Sequence, residues 1–283
     1  MKIKYNKHSK LYHAMDYVIN PIGFADQVCR NFHDRNFVSE NEFLFVVGAP
    51  RSGTTILYKT IRDRIDLLGF EFETEILSQK RLSNYERYKK YIPKETFDKL
   101  LDETKSNCEF LDCLHQTLGE GCYVEKTPQH IFSIKKIKKS FPKAKIIHIV
   151  RDPRDAFISG FSAKNIPQAK NIKSYFSYWR KCIDSIKSAQ LQESDILTVR
   201  YEDFVVDDHG IVKNIGDFIG LKVEGNITDC SIDERGLLDE FAKLNKPIDA
   251  KSVGRWRESK DSALIQEAAL LHKNVLESYG YIL

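Results

Sequence analysis

The chain of 283 residues carries 44 lysine and arginine residues against 40 aspartate and glutamate residues, a formal net charge of +4. Because this positive excess is small, the composition argues against nucleic acid as a partner. No stretch of about 20 apolar residues is present, which argues against a membrane span. The length suffices for one large core and no linker or repeat divides it, so we expect a single domain over residues 1–283.

The N-terminal residues are charged and polar, and no apolar core of secretory length follows them. We therefore expect no signal peptide and a cytoplasmic location. Residues 1–42 are predicted to form a partly helical lead-in to the domain. The six cysteines are scattered without a Cys-x-x-Cys pair, which is typical of reduced thiols and predicts no metal site.

The first predicted strand covers residues 43–47, an apolar run suited to a buried parallel strand. A helix is expected from about residue 54 to 67. Between them lies the loop Gly48–Thr55. A strand, a glycine-containing loop and a helix in this order are typical of a phosphate site, because the loop N–H groups and the helix N-terminus converge on the anion.

The spacing of Gly48 and Gly53 fits a nucleotide P-loop, except that Thr54 occupies the position of the expected lysine. The positive charge of this loop lies on Arg51 instead. Because a nucleoside triphosphatase uses that lysine on its β- and γ-phosphates, the exchange disfavours such an activity.

Beyond this helix, Phe70–Glu73 alternates apolar and acidic residues, which predicts a second strand. On such a strand Glu71, Glu73 and Glu75 would share one face. Residues 76–118 are charged and helical in character, with an interruption at Pro93. A short strand over 122–126 then leads to Thr127, Pro128 and a helix that ends near Ser140.

A strand over 145–150 ends at Arg151-Asp152-Pro153-Arg154, and Pro153 suits the first turn of a following helix. Arg151 and Ser159 are separated by an entry turn and two helical turns, so both side chains can reach one phosphate. Later elements are predicted as helices over about 153–163, 172–190, 208–219 and 261–279, and a strand over 196–200.

The alternation of strands and helices predicts an α/β fold with a central parallel sheet flanked by helices on both faces. Ligands of such sheets bind at the carboxyl ends of the strands. The candidate residues at those ends are Gly48–Thr55, Glu73, Lys126, Arg151 and Tyr201.

Two of these motifs together resemble the sulfotransferases that use 3′-phosphoadenosine 5′-phosphosulfate (PAPS). The first is Pro50-Arg51-Ser52-Gly53-Thr54-Thr55 after a strand, and the second is Arg-Asp-Pro-Arg with a serine eight residues after its first arginine. They follow in the family's order, roughly a hundred residues apart. The resemblance implies a P-loop-like sulfotransferase fold, with the first loop on the 5′-phosphosulfate and Arg151 and Ser159 on the 3′-phosphate.

Further cofactor contacts are implied by the same resemblance, which covers about residues 43–75, 122–162, 196–204 and 244–257. Glu125-Lys126-Thr127-Pro128 resembles the family's Lys-(Ser/Thr)-Pro element, so Lys126 is expected near the sulfonate. Tyr201 corresponds to a tyrosine that contacts the cofactor. Lys246 and Arg255 resemble basic residues of a loop that closes over the 3′-phosphate and adenine.

A hydroxyl acceptor needs a base that removes its proton. Glu73, followed by Thr74, resembles the glutamate of Golgi tyrosylprotein and carbohydrate sulfotransferases, and Glu75 is the alternative. Cytosolic steroid and phenol sulfotransferases use a histidine, but the histidines of this chain lie outside that pattern. They are His115, His130 and His148: His148 lies within an apolar strand and is expected in the core, and His130 is a candidate for the lining of the pocket.

The resemblance therefore implies transfer of a sulfuryl group from PAPS to a hydroxyl on a glycan, a peptide tyrosine, a lipid or a small metabolite. Arg51 and Lys126 would neutralise the moving charge without a metal, and adenosine 3′,5′-bisphosphate would be the product. Residues 76–118 are expected to shape the acceptor pocket. The alternatives are a non-catalytic binder of adenosine bisphosphate, a P-loop kinase or NTPase, and a binder of anionic glycans through the lysine-rich helix at 135–139. The oligomeric state stays open.

Overall fold

The computed structural model describes residues 30, 33, 34, 36–78, 85–164, 166–224 and 250–283. Four parallel strands form one sheet in the order β2-β1-β3-β4. The strands are β1 (Phe43–Gly48), β2 (Tyr123–Lys126), β3 (Lys145–Val150) and β4 (Ile196–Arg200). In the register of the sheet, Val46 of β1 lies beside Lys126 and Ile147, and Val150 of β3 lies beside Arg200.

Helices connect the strands and complete the described part of the chain. They are α1 (Thr54–Arg62), α2 (Lys94–Glu103), α3 (Asn107–Gln116), α4 (Ile134–Ser140), α5 (Pro153–Ala163), α6 (Ile172–Ala189), α7 (Tyr201–Val206), α8 (Asp208–Ile219), α9 (Ser262–Leu270) and α10 (Lys273–Ser278). Short 3₁₀ turns lie at Tyr85–Arg87, Pro128–Ser133, Pro167–Lys170, Ala250–Ser252 and Arg255–Glu258. None of the described helices combines the length and the apolar character that crossing a membrane requires.

Several helices begin where a side chain accepts a bond from a free N–H of the first turn. Ser106 accepts from the Glu109 amide before α3, and Asn171 accepts from the Ser174 amide before α6. Asp152 does the same at the start of α5, where the predicted Pro153 occupies the first turn.

The sheet is buried on both faces, as the alternation along β1 demonstrates. Phe43, Phe45 and Val47 pack into one apolar cluster, with α3, α4, α5 and α6. Leu44 and Val46 face the opposite cluster, which includes apolar residues of α1, α7 and α8. The predicted α/β fold with helices on both faces is therefore confirmed, and the four strands predicted from the apolar runs at 43–47, 122–126, 145–150 and 196–200 are present.

The prediction of a second strand at Phe70–Glu73 is wrong. Leu68 makes one isolated parallel bridge to Tyr123, and beyond it the segment joins no strand and bends at Glu71 and Phe72. Tyrosine side chains bind the backbone there instead: the Tyr58 hydroxyl donates to the Phe70 carbonyl, and the Glu71 N–H donates to the Tyr91 hydroxyl. Alternation alone indicates a possible strand, but a strand also needs a neighbouring backbone with free partners.

Other boundaries also differ from the predictions. Helix α1 ends at Arg62 rather than near residue 67, and the predicted C-terminal helix is two helices that meet near His272. Within 76–118, α2 and α3 agree with the predicted helical character. Of the predicted lead-in at 1–42, residues 1–29 lie outside the described residues, as do residues 79–84 of the variable region.

Candidate active site

The loop Gly48–Thr55 follows β1 at the carboxyl edge of the sheet and leads directly into α1. Gly53 has φ 97°, and a Cβ atom there would lie 2.4 Å from the Tyr201 ring. The backbone of the loop thus passes tightly beneath that ring. No side chain of the described residues caps α1, so the N–H groups of its first turn stay available for an anion.

Two buried polar atoms beside this loop have no partner among the described residues. They are the Ser52 hydroxyl, whose residue is fully buried, and Nε of Arg151. Since a buried donor without a partner is costly, such atoms indicate a ligand that completes their bonding. An uncapped helix start, a glycine-shaped loop and these two donors together fit an anionic, phosphate-bearing nucleotide.

Arg51, Arg151 and Ser159 meet at the junction of β1 and β3, where the spacing of Arg151 and Ser159 predicted that these two side chains share one site. Nε of Arg51 donates to the Ser159 hydroxyl at 3.1 Å, and Arg151 donates to the Arg51 carbonyl at 3.0 Å. The Arg151 guanidinium lies 4.2 Å from the centre of the Tyr201 ring. Arg51 has φ 68°, a left-handed conformation that costs energy in a residue with a side chain.

A second group of candidates joins the loop to the end of β2. The Lys126 ammonium lies 3.1 Å from a carboxylate oxygen of Glu73 and 3.5 Å from the Thr55 hydroxyl. Lys126 is only 4% exposed, whereas the Glu73 side chain is 34% exposed. One buried cation therefore contacts both the phosphate-type loop and a carboxylate that solvent can reach.

The three glutamates predicted to share a strand face are separated, because that strand does not form. Glu71 pairs with Lys90 at 2.9 Å, and this bond lowers the pKa of the Glu71 carboxyl. Glu75 has φ 56° and pairs with Arg87 at 3.2 Å. Of the three, Glu73 is the one that contacts Lys126.

Residues 250–258 close over the start of α5. Both carboxylate oxygens of Asp155 accept backbone bonds from this segment, one from the Gly254 N–H and one from the Trp256 N–H. The Ser252 carbonyl accepts from Arg151 at 2.9 Å, and the Ser252 hydroxyl bonds that of Tyr201 at 2.8 Å.

The structure describes two of the three residues predicted in the loop over the cofactor, Trp256 and Arg255. Trp256 is buried beneath the Arg154 guanidinium, as expected of a residue that packs the segment down. Arg255 is half-buried in the adjoining turn. Lys246 lies outside the described residues, so its contact with a cofactor stays a prediction.

Sequence reasoning missed Asp155, Ser252 and Tyr175, whose hydroxyl donates to the Pro50 carbonyl at 2.5 Å. These residues carry no motif of their own, and their contacts join positions roughly a hundred residues apart. Asp155 did have one signal, since it lies four residues after Arg151, on the buried face of the first turn of α5.

Sequence reasoning also missed a buried polar cluster behind Lys126, formed by Glu125, His115 and His130. Burial raises the pKa of Glu125 to about 7 and lowers the pKa of His115 to about 4. Burial likewise lowers the pKa of His130 to about 3. The suggestion that His130 lines the pocket is wrong, because its ring is fully buried and accepts from the Leu77 N–H.

A cavity of about 510 Å³ lies among residues 77–78, 129–133, 167–168 and 178. Two of its walls are formed by the segments that follow Glu73 and Lys126 in the chain. Its lining consists of uncharged side chains: Leu77, Ser78, Gln129, Phe132, Ser133, Pro167, Gln168 and Tyr178. Among the described residues, no group of three or more histidine, cysteine, aspartate or glutamate side chains is arranged to hold a metal ion.

Comparison with known proteins identifies the family of the chain. The sequence model described as "Sulfotransferase family" matches residues 44–225, which contain the loop, Glu73, Lys126, Arg151 and Tyr201. The chain belongs to the sulfotransferase family. The family resemblance predicted from the two motifs is therefore confirmed, whereas the roles of individual residues stay predictions.

The curated relatives of the chain are distant. Sulfotransferase 2A6 of Mus musculus is 27% identical over 210 residues, which are 69% of this chain and 64% of the relative. The 3-alpha-hydroxysteroid sulfotransferase of Cavia porcellus is 29% identical over 123 residues, 38% of this chain and 41% of the relative. The chain thus spans less than two thirds of the length of each.

Solved structures with the same fold cover more of the chain. The sulfotransferase domain of the Synechococcus PCC 7002 olefin synthase has a TM-score of 0.61 at 18% identity and covers 88% of this chain and 98% of that domain. The sulfotransferase domain from the curacin biosynthetic pathway has a TM-score of 0.61 at 16% identity, with 86% and 99% covered. At these identities the likeness establishes the sulfotransferase fold.

Proposed function

We propose that the protein transfers a sulfuryl group from PAPS to a hydroxyl acceptor, with Glu73 as the general base. The observation that carries the proposal is the contact of Lys126 with both Glu73 and Thr55. It connects the predicted phosphosulfate loop to the predicted base through one buried cation. An NTPase-type loop would instead need the lysine that Thr54 replaces.

The cofactor would be held by the two groups of side chains described above. The N–H groups of Gly53, Thr54 and Thr55 and the Ser52 hydroxyl would bind the 5′-phosphosulfate. Arg151 and Ser159 would bind the 3′-phosphate, and Tyr201 would limit the space above Gly53. When bound, PAPS supplies an activated sulfuryl group and leaves as adenosine 3′,5′-bisphosphate.

Each catalytic candidate has a role that its position supports. Glu73 is exposed enough to meet an acceptor and would take the proton of the attacking hydroxyl. Lys126 would hold the Glu73 carboxylate toward the loop and compensate negative charge near Thr55. Arg51 would add a second positive charge from within the loop.

The cavity lined by Leu77 and Phe132 is our candidate for the acceptor site. Its volume of about 510 Å³ suits a small molecule, and its lining lacks charged side chains. We therefore infer an uncharged acceptor with an apolar body and a free hydroxyl rather than an anionic glycan. One distant relative is named for a hydroxysteroid, so sterol-like alcohols are the first compounds to test.

The cofactor is tested by thermal denaturation of the protein with adenosine 3′,5′-bisphosphate, adenosine 5′-phosphate, or ATP with magnesium. Ligand at about a hundred times its dissociation constant adds roughly 2.7 kcal/mol of stability. We expect the bisphosphate to raise the Tm most, because Arg151 and Ser159 read its 3′-phosphate. Stabilisation by ATP with magnesium and none by the bisphosphate would refute the proposal.

The variant Arg151→Ala sharpens this measurement, because it should weaken the response to the bisphosphate more than the response to adenosine 5′-phosphate. A charge-assisted hydrogen bond of this kind is worth roughly 1.5–3 kcal/mol. Equal losses for both nucleotides would mean that Arg151 does not read the 3′-phosphate. A non-catalytic relative would bind the bisphosphate but transfer no sulfonate from labelled PAPS to any of the alcohols.

A further inference from the structure

Glu125 is a buried carboxyl adjacent to Lys126 in β2, and the proposed reaction gives it no role. Its Oε1 accepts from the Thr74 hydroxyl at 3.0 Å and from the Thr127 hydroxyl at 2.6 Å. The oxygen of Thr127 in turn accepts from the Glu75 N–H at 3.1 Å. The unpaired segment after Glu73 is thus fastened to the end of β2 through one carboxyl group.

The tautomer of His130 follows from its backbone partner. Nε2 of His130 accepts from the Leu77 N–H at 3.2 Å, so this nitrogen carries no proton. A neutral His130 then has its proton on Nδ1, which lies 3.6 Å from Oε1 of Glu125. This N–H lies near the oxygen that already accepts from the two threonines, at a distance longer than a hydrogen bond, and has no other hydrogen-bond partner among the described residues.

The tautomer of His115 is the opposite one. Nδ1 of His115 lies 2.9 Å from the Leu111 carbonyl, which can only accept, so Nδ1 is the donor. In the neutral ring Nε2 then presents a lone pair, 3.7 Å from Oε2 of Glu125. Two lone pairs facing each other in a buried site are unfavourable, whereas a proton on Oε2 turns the contact into an attraction.

This contact therefore favours one proton between Glu125 and His115, although at 3.7 Å it is longer than a hydrogen bond. Burial favours the neutral form of both groups and so keeps that proton on the carboxyl. Consistently, the pKa of Glu125 is raised to about 7 and that of His115 is lowered to about 4. The ionisable groups facing Glu125 from the surrounding elements are His115, His130, Lys126, Glu73, Tyr58 and Tyr88.

We propose that Glu125 is a positioning residue, a protonated buried carboxyl that fixes Glu73 and Lys126 relative to each other. Thr74 directly follows Glu73 and Lys126 directly follows Glu125, so the Thr74–Glu125 bond ties together the neighbours of the reacting pair. This inference rests on the proposed function, because it assigns the alignment of that base and that cation.

Glu125→Gln is the informative variant, because the amide reproduces the protonated acid. Its oxygen can accept from the two threonines, and its NH₂ can donate to Nε2 of His115. We expect Glu125→Gln to keep near-normal kcat at mildly acidic pH and to resist the loss of turnover that ionisation of Glu125 causes in the wild type above about pH 7. Thr74→Val, which removes one of the bonds, should lower kcat about 10- to 100-fold while the thermal response to adenosine 3′,5′-bisphosphate is kept.

A stability measurement tests the protonation state without any cofactor. A carboxyl whose pKa is raised in the folded state loses stability as pH rises from its ordinary value toward the raised one. The Tm of Glu125→Gln should therefore increase relative to that of the wild type between about pH 5 and about pH 8. A Tm difference that does not change with pH would overturn the assignment of a protonated Glu125.

The kinetic outcomes separate this inference from the proposed function. If Glu125→Gln folds and binds the bisphosphate but is inactive at every pH, the carboxylate form is needed and the proposal is wrong. If Thr74→Val has the kcat of the wild type while Glu73→Gln is inactive, the positioning role fails and the proposed reaction stands. No stabilisation by the bisphosphate in any variant would instead contradict the proposed function.

Discussion

The ion pair between Lys126 and Glu73 is asymmetric, with 4% of the lysine and 34% of the glutamate exposed. A buried ammonium is costly unless a negative group compensates it, so Lys126 keeps the Glu73 carboxylate at the edge of the site. The exposed face of Glu73 stays open to a hydroxyl. One contact thereby satisfies a structural need of the lysine and orients a base.

The first prediction is that Glu73→Gln abolishes turnover while the affinity for adenosine 3′,5′-bisphosphate is nearly unchanged. An amide cannot take the acceptor proton, and loss of a general base typically lowers the rate about 10²- to 10⁴-fold. Sulfonate transfer from labelled PAPS and the thermal response to the bisphosphate measure the two quantities on the same sample.

Glu75→Gln is the matched control, because Glu75 is 30% exposed and also forms an ion pair, with Arg87. It should keep most of its turnover. If Glu75→Gln is the inactive variant and Glu73→Gln is not, the base lies two residues further along. If both variants and Glu71→Gln stay active, a carboxylate base in this segment is excluded.

At the level of single residues, the sequence predicted which side chains gather at the carboxyl edge of the sheet. Lys126, Glu73 and Thr55 are in contact, as are Arg51, Arg151 and Ser159, although their chemical roles stay predictions. The Glu125 cluster could not be predicted, because the tautomers of its histidines are set by the Leu77 N–H and the Leu111 carbonyl. Those contacts exist only once the chain has folded.

Among the elements, the loop before α1 depends on one glycine. Gly53 has φ 97°, and an added Cβ would lie 2.4 Å from the Tyr201 ring at the start of α7. The loop is therefore shaped both by a left-handed backbone and by a side chain from the far edge of the sheet. Tyr201 is itself held by the hydroxyl of Ser252 and by the Arg151 guanidinium above it.

The second prediction compares Gly53→Ala with Gly220→Ala. Gly220 also has a left-handed backbone, with φ 78°, but nothing lies within 4 Å of an added Cβ. Holding an alanine in a left-handed conformation costs about 1–2 kcal/mol, and this cost is common to both variants. The free energy of unfolding measured in urea should be about 1–3 kcal/mol lower for Gly53→Ala than for Gly220→Ala, because the methyl group at residue 53 collides with Tyr201.

Gly53→Ala should also weaken the thermal response to adenosine 3′,5′-bisphosphate, whereas Gly220→Ala should leave it intact. The reason is that displacing Tyr201 moves the loop N–H groups away from the phosphate. Equal unfolding free energies for the two variants, or an unchanged response in Gly53→Ala, would show that the Tyr201 contact does not shape the site.

The strands were predictable because a parallel strand covered on both faces reads as a continuous apolar run. The prediction of a strand at Phe70–Glu73 failed because alternation is a local property of the sequence, whereas strand pairing depends on a neighbouring strand. Its backbone groups are bound by Tyr58 and Tyr91, which lie before and after it in the chain. A sequence pattern does not reveal that side chains replace the neighbouring strand.

Across the whole molecule, histidines buried in the neutral form link folding to pH. His148 lies in β3 between two core residues, 1% exposed, and burial lowers its pKa to about 4. His130 behaves likewise, with a pKa of about 3. The unfolded chain binds protons on these rings at higher pH than the folded chain does, so acid favours unfolding. The raised pKa of Glu125 acts in the opposite direction between about pH 4.5 and about pH 7 and partly offsets this loss.

The last prediction isolates His148, which lies far from the Glu125 cluster in sequence and packs against the Tyr279 ring. Its folded pKa of about 4 is below the ordinary 6.5, so its contribution to the unfolding free energy is complete above about pH 6.5 and is lost as pH falls toward about 4. Between about pH 7.5 and about pH 5 this contribution falls by about 2 kcal/mol. His148→Phe keeps a ring in the core, but this ring does not titrate. The free energy of unfolding in urea should therefore fall by about 2 kcal/mol less in the variant than in the wild type over the same pH interval. An equal decline in both proteins would show that His148 is not held neutral by the fold, and that the acid sensitivity arises elsewhere.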